Sequence, residues 1–136
     1  MSDPIEVVQA FCDAMVKRDP EVLRGYLADD VVYQNTGMAA KKGVEDVLGD
    51  LAGQFAMFPS SYEYRMQNIA GTGGVVLTER VDMITDFDGN PHGVPVMGTF
   101  IVWDGKITRW TDYFDTGLIG KMLSGEDYSH LVPTID

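Results

Sequence analysis

Val75-Val76-Leu77-Thr78-Glu79-Arg80-Val81-Asp82-Met83-Ile84 is an apolar run with an arginine and an aspartate set into it two residues apart. Read as a strand, it sends Val76, Thr78, Arg80, Asp82 and Ile84 to one face and Val75, Leu77, Glu79, Val81 and Met83 to the other. One face then carries two opposite charges among residues that ordinarily pack in a core. An isolated buried charge is costly, so Arg80 and Asp82 require further partners of the right sign. The other face is also apolar, and a single layer of helices cannot cover both. A homodimer is the simplest cover for the second face.

Outward from this run the period stays at two. Ser61 to Ile69, Val94 to Trp103 and Lys106 to Phe114 read as three more strands. Gly71-Thr72-Gly73-Gly74, Asp86 to Gly93 and the two-residue turn Asp104-Gly105 separate the four. Consecutive hairpins of this kind make an antiparallel sheet.

Upstream the spacing becomes helical. Ile5, Val8, Phe11, Cys12 and Met15 follow a start at Asp3-Pro4, and the same start recurs at Asp19-Pro20 for a short second helix that Asp29-Asp30 ends. Val31 to Asn35 reads as a lone short strand before the turn at Thr36-Gly37. Gly43 to Phe55 carries a third helix, weakened by Gly49 and Gly53. Leu118, Ile119, Met122 and Leu123 mark a short closing helix, and the tail from Ser124 to Asp136 is expected to lie over the body or fray.

The expected fold is α+β, one domain over residues 1–136. It is a cone-shaped, curled antiparallel or mixed β-sheet with three to four helices covering its concave face and a cavity in the cone.

Composition narrows the partners. The 136 residues, 45% hydrophobic, suffice for one core around a small pocket. A net charge of -11 repels nucleic-acid phosphates and anionic lipid head groups, so the expected ligand is neutral or cationic. The single Cys12 has no intrachain disulfide partner. The start of the chain lacks a basic region followed by an apolar core, and no apolar stretch is long enough to span a bilayer. The expectation is a soluble cytoplasmic protein without membrane contact.

The polar residues suggest a chemistry. Arg80 can bridge Asp82 and a second carboxylate, Asp112, with its planar set of donors. One cation cannot compensate two anions in low dielectric, so one carboxyl should keep its proton while the other ionises. Tyr33 and Asn35, on one face of another strand, suit the holding of a water against the ionised acid. Asp112 could then activate that water while Asp82 protonates a leaving oxygen, a hydrolysis suited to a strained epoxide. Spacing alone favours a cross-strand salt bridge on a wet face, with Tyr33 a core aromatic and Asn35 a turn residue; the joint occurrence of these residues on strand positions facing one way tilts the balance toward a site.

Tyr33-Gln34-Asn35, Glu79-Arg80-Val81-Asp82 and Trp110-Thr111-Asp112-Tyr113-Phe114-Asp115 closely resemble the three active-site motifs of the limonene-1,2-epoxide hydrolase family, in a likeness running from about Ile5 to Asp115. The resemblance implies a nuclear-transport-factor-like (cystatin-like) cone fold, usually dimeric. It also implies cofactor-independent hydrolysis of an epoxide to a vicinal diol in one step. In that likeness Tyr33, Asn35 and Asp112 match the water-holding residues, Asp82 the general acid and Arg80 the bridge between the aspartates. Glu79, Gln34 and Asp115 point away by alternation and are given structural roles.

The cavity-facing stripes name a pocket of Cys12, Met15, Phe55, Phe58, Val76, Ile84, Val94, Val96, Phe114 and Ile119, which fits a small hydrophobic epoxide. No metal or other cofactor is expected: His92 and His130 read as exposed loop histidines, and Asp86-Phe87-Asp88-Gly89-Asn90 as a turn, not a calcium loop. Cones of this kind also host ketosteroid-isomerase-like and polyketide-cyclase-like enzymes and non-catalytic binding modules, so the fold alone leaves those alternatives open.

Overall fold

The computed structural model describes residues 3–133. Its elements are α1 (Pro4–Asp13), a 3-10 turn (Ala14–Lys17), α2 (Pro20–Arg24), β1 (Leu27–Asn35), β2 (Lys41–Lys42), α3 (Val44–Met57), β3 (Tyr62–Thr72), β4 (Val75–Thr85), β5 (Pro91–Trp103), β6 (Lys106–Tyr113) and α4 (Thr116–Ser124). A further 3-10 turn spans Ser129–Leu131. The helix starts are capped as their sequences suggest: the Asp3 side chain accepts from Ile5 N and that of Asp19 from Glu21 N, with proline at the first turn of each.

The strands form one mixed, curled sheet in the order β2-β1-β6-β5-β4-β3. β3 to β6 are consecutive antiparallel hairpin neighbours, and β1 joins the far side of β6 in parallel, with Tyr33 opposite Trp110 and Asn35 opposite Asp112. The helices α1 and α3 lie on the concave face. There Phe11, Met15, Leu51, Phe100, Ile107 and Trp110 are all buried. Burying such side chains contributes roughly 1.5–3 kcal/mol each, which is what closes the cone.

Several sequence expectations are corrected. Leu27 to Asp30 belong to a long β1, not to the end of a helix: α2 stops at Arg24, and Leu27 already pairs with Ile107 of β6 ahead of a bulge that ends at Val32. β5 starts at Pro91, three residues before the expected Val94, and β2 is a two-residue strand that local pattern does not announce.

His92 is buried, not an exposed loop residue. It faces inward at the start of β5, its Nε2 2.8 Å from Asp86 Oδ2 and its Nδ1 3.0 Å from the Tyr128 hydroxyl. This pins the segment after α4 to the β4–β5 turn, so that part of the tail lies over the body. Residues 134–136, the rest of the tail, lie outside the described residues. Among the described residues no helix is long and apolar enough to cross a membrane.

The convex face remains apolar in part. Val75, Leu77, Met97, Ile101, Trp103 and Tyr113 are exposed on it.

Candidate active site

Arg80 lies on β4 and Asp112 on β6, with β5 between them. Adjacent strands are about 4.8 Å apart, so the two backbones are separated by roughly 10 Å. The side chain crosses that gap over Gly98, which stands opposite both Thr78 on β4 and Asp112 on β6. A Cβ at Gly98 would come within 2.5 Å of Arg80 Nη1, 2.7 Å of Asp112 Oδ1 and 2.9 Å of Thr78 Oγ1. The glycine is the corridor through which the ion pair forms.

Arg80 then holds two carboxylates at once. Nε and Nη2 donate to Asp82 Oδ1 and Oδ2, each at 3.0 Å, while Nη1 and Nη2 donate to Asp112 Oδ1 and Oδ2 at 3.1 and 3.0 Å. All three side chains are buried. The Tyr64 ring covers the guanidinium, with Cζ 4.2 Å from the ring centroid. Burial pushes the Asp82 carboxyl up to about 6, against the opposing pull of Arg80.

Asp112 receives one more donor, Trp110 Nε1 at 2.9 Å to Oδ1. Two residues apart on β6, Trp110 and Asp112 share the inner face. The indole also fixes Tyr33, whose ring stacks on it at 3.9 Å between centroids and 24° between planes. Phe11 packs edge-on against the same indole at 5.0 Å. The Tyr33 hydroxyl donates to Asn35 Oδ1 at 3.0 Å. Burial, joined by the charge of Asp112, raises the Tyr33 phenol above its usual range and keeps it protonated.

The five polar residues named from sequence therefore converge. Four of them, Tyr33, Asn35, Asp82 and Asp112, open onto a cavity of about 100 Å³, with Arg80 behind the aspartates. Of the apolar residues assigned to its lining, Phe58, Ile84, Val94, Val96, Phe114 and Ile119 do line it. Cys12, Met15, Phe55 and Val76 do not. Cys12, Met15 and Val76 are fully enclosed in the core, and Phe55 sits one layer behind, edge-on to Tyr62 at 5.1 Å. Burial pushes the Cys12 thiol up to about 12, so it remains a neutral core residue.

In their place the lining gains Gln54, Tyr62 and Tyr64, which make one wall polar. Gly98 and Trp110 are the other residues that sequence reasoning passed over, although a glycine inside a strand and a tryptophan on the face of Asp112 were both visible signals. The residues read as pointing away do so. Glu79 accepts from Asn68, Gln34 donates to the Met38 carbonyl, and Asp115 caps α4 by accepting from Gly117 N and Leu118 N. Among the described residues no three His, Cys, Asp or Glu side chains converge as metal ligands would.

This architecture has known relatives. Residues 2–124 match the model of the limonene-1,2-epoxide hydrolase catalytic domain. Epoxide hydrolase EphG of Mycobacterium tuberculosis (strain ATCC 25618 / H37Rv) is 34% identical over 113 residues, covering 79% of this chain and 70% of that one. The solved structure of an M. tuberculosis LEH-like epoxide hydrolase superimposes with a TM-score of 0.78 at 31% identity, over 96% of each chain. An NTF2-like protein from Burkholderia pseudomallei K96243 shares the fold alone, with a TM-score of 0.79 at 16% identity over 91% of this chain and 99% of that one.

Proposed function

The chain belongs to the limonene-1,2-epoxide hydrolase family, and on that premise we propose that it hydrolyses a small hydrophobic epoxide, cyclic or terpenoid, to a vicinal diol in one step, by general acid and base catalysis without a covalent intermediate or a cofactor. The observation that carries this reading is the single buried guanidinium shared by two carboxylates at the wall of one cavity.

In this mechanism Asp112 is the base. Three nitrogens, two of Arg80 and one of Trp110, aim N–H groups at it and stabilise a carboxylate. Asp82 is the acid, since burial already favours its protonated form. A water held by Tyr33, Asn35 and Asp112 attacks an epoxide carbon and gives one proton to Asp112. The carbon–oxygen bond of the ring breaks, and the leaving oxygen takes the proton of Asp82. The pair ends the turnover with its proton moved from Asp82 to Asp112, and exchange with solvent restores it. Phe58, Ile84, Val94, Val96, Phe114 and Ile119 would hold the hydrocarbon part.

The same reading takes residues 1–136 as one domain and the apolar convex face around Leu77 and Met97 as the seat of a second copy of the chain. Sedimentation equilibrium giving the mass of one chain would remove the dimer from it.

The test of the chemistry is diol formation from cyclic and terpenoid epoxides in oxygen-18 water under single-turnover conditions, with Asp112→Asn as control. The expected result is label in the diol on the first turnover, and a loss of more than about 10³-fold in rate in the variant. Unlabelled first-turnover diol would mean a covalent intermediate. Absence of diol from folded protein would favour proton-transfer chemistry or simple ligand binding on the same fold.

A further inference from the structure

Asp50 and Gln54 lie one turn apart on α3 and have no part in the chemistry above. Gln54 nevertheless has its amide engaged on every side that faces the site. Nε2 donates to Asp50 Oδ2 at 2.8 Å and to the Tyr33 hydroxyl at 3.2 Å, and Oε1 accepts from the Tyr62 hydroxyl at 2.5 Å. A carboxylate only accepts, so Asp50 must face the NH₂ end of this amide, and the same nitrogen is then the one that faces Tyr33. A phenol oxygen that already receives a donor has one proton left to give. Here it goes toward Asn35, at 3.0 Å.

We infer that Asp50 and Gln54 are positioning residues that set the donor sense of the Tyr33 hydroxyl, so that Tyr33 gives a hydrogen bond to the attacking water instead of taking one. The inference rests on the reading of Tyr33 and Asn35 as holders of that water. During attack the water uses one lone pair on the epoxide carbon and one proton on Asp112. A water entering between the two side chains takes the Tyr33 proton over from Asn35: its other lone pair accepts from Tyr33 O–H, and its other proton goes to the Asn35 Oδ1 so freed. A reversed Gln54 amide would turn the Tyr33 proton toward Oε1. Tyr33 and Asn35 would then compete for one water proton, and the free lone pair would be unheld.

Asp50→Asn keeps the shape of the side chain but can meet either end of the Gln54 amide. It is expected to lower kcat roughly 3- to 10-fold with KM little changed. Gln54→Leu should show a fall of similar size, and the double variant no more than Gln54→Leu alone, because Asp50 acts only through Gln54. In Tyr33→Phe, which has no hydroxyl to orient, adding Asp50→Asn should leave the residual kcat unchanged. Losses that multiply in either double variant, or a change confined to KM, overturn the inference.

The orientation can also be read without turnover. The two side-chain amide protons of Gln54, identified by their loss in Gln54→Leu, are expected to shift in nitrogen–proton NMR spectra on Asp50→Asn and, for one of them, on Tyr33→Phe. Unmoved signals overturn the inference whether or not the protein opens an epoxide. Shifted signals in a protein that opens none uphold the orientation and count against the hydrolase reading alone.

Discussion

Two arginines in this protein each hold two carboxylates. Arg24, at the end of α2, bonds Glu21 through Nε at 2.9 Å and Nη2 at 3.0 Å, and reaches Glu45 at the start of α3 through Nη1. Arg80 holds Asp82 and Asp112 with the same kind of contacts. The Arg24 side chain is 39% exposed and that of Arg80 0%. The acids respond in opposite directions. Hydrogen bonds from Arg24 hold Glu21 and Glu45 below the usual carboxylate range, whereas burial drives Asp82 upward despite Arg80. Water screens the surplus negative charge around Arg24, so no acid there needs its proton. Around Arg80 burial weakens that screening, and one acid of the pair is pushed toward its neutral form. Identical stoichiometry gives a surface fastening in one place and the makings of an acid–base pair in the other.

The comparison breaks most severely if the buried cation is removed. Arg80→Met leaves two carboxyl groups facing each other in the core, and a loss of about 3–5 kcal/mol in urea-unfolding stability is expected. An unchanged midpoint would mean that water already reaches the pair. Gly98→Ala tests the corridor, because its Cβ falls on Arg80, Asp112 and Thr78 together. It is expected to cost about 1–3 kcal/mol of stability, with activity lost along with the ion-pair geometry. Gly120→Ala, on α4 with nothing within 4 Å of the added carbon, is its control. Equal outcomes in the two variants would show that Gly98 is not a steric requirement.

A smaller effect sharpens the contrast in protonation. The folded chain holds the Asp82 proton up to about pH 6, while the ordinary value is 3.8. The folded pKa is thus the higher one, and the contribution of Asp82 to stability is whole below the ordinary value and lost as pH rises through about 6. Asp82→Asn cannot ionise and should flatten that fall in urea midpoints. Parallel falls in both proteins would place the proton elsewhere. Loss of the same proton removes the proposed acid, so kcat/KM should decline on the alkaline side of that pH. The smallest change is expected from Arg24→Met, with little shift in the midpoint and that little fading in salt. A large loss there would mean that the wet cluster is not screened as described.

Much of the site was legible because alternation in a strand is a local property. It put Arg80 with Asp82 and Tyr33 with Asn35 on shared faces, and it turned Glu79 and Gln34 outward. Depth was not legible. Cys12, Met15, Phe55 and Val76 have the correct face but the wrong layer, since periodicity says which way a side chain points and not how far from the cavity it ends. Tyr62 and Tyr64 carry no local signal that separates a cavity wall from a core, and Gln54 follows no pattern that separates it from any polar helix residue. His92 reads as a loop residue between Pro91 and Gly93 because the hydroxyl that helps to enclose it, that of Tyr128, lies 36 residues away.

By itself, then, the sequence determined the helices and the strands apart from β2 and the reach of β1, the capped helix starts, and the five polar strand side chains that face inward. Periods of two and 3.6 residues, together with capping side chains, act within a few residues of one another. Only the tertiary structure decided which of those side chains meet. Arg80 and Asp112 are 32 residues apart, and their contact exists because β5 lies between their strands in the one register that puts Gly98 beneath the guanidinium. That register is chosen by burial of whole strand faces against α1 and α3, a sum over distant residues that no local stretch contains.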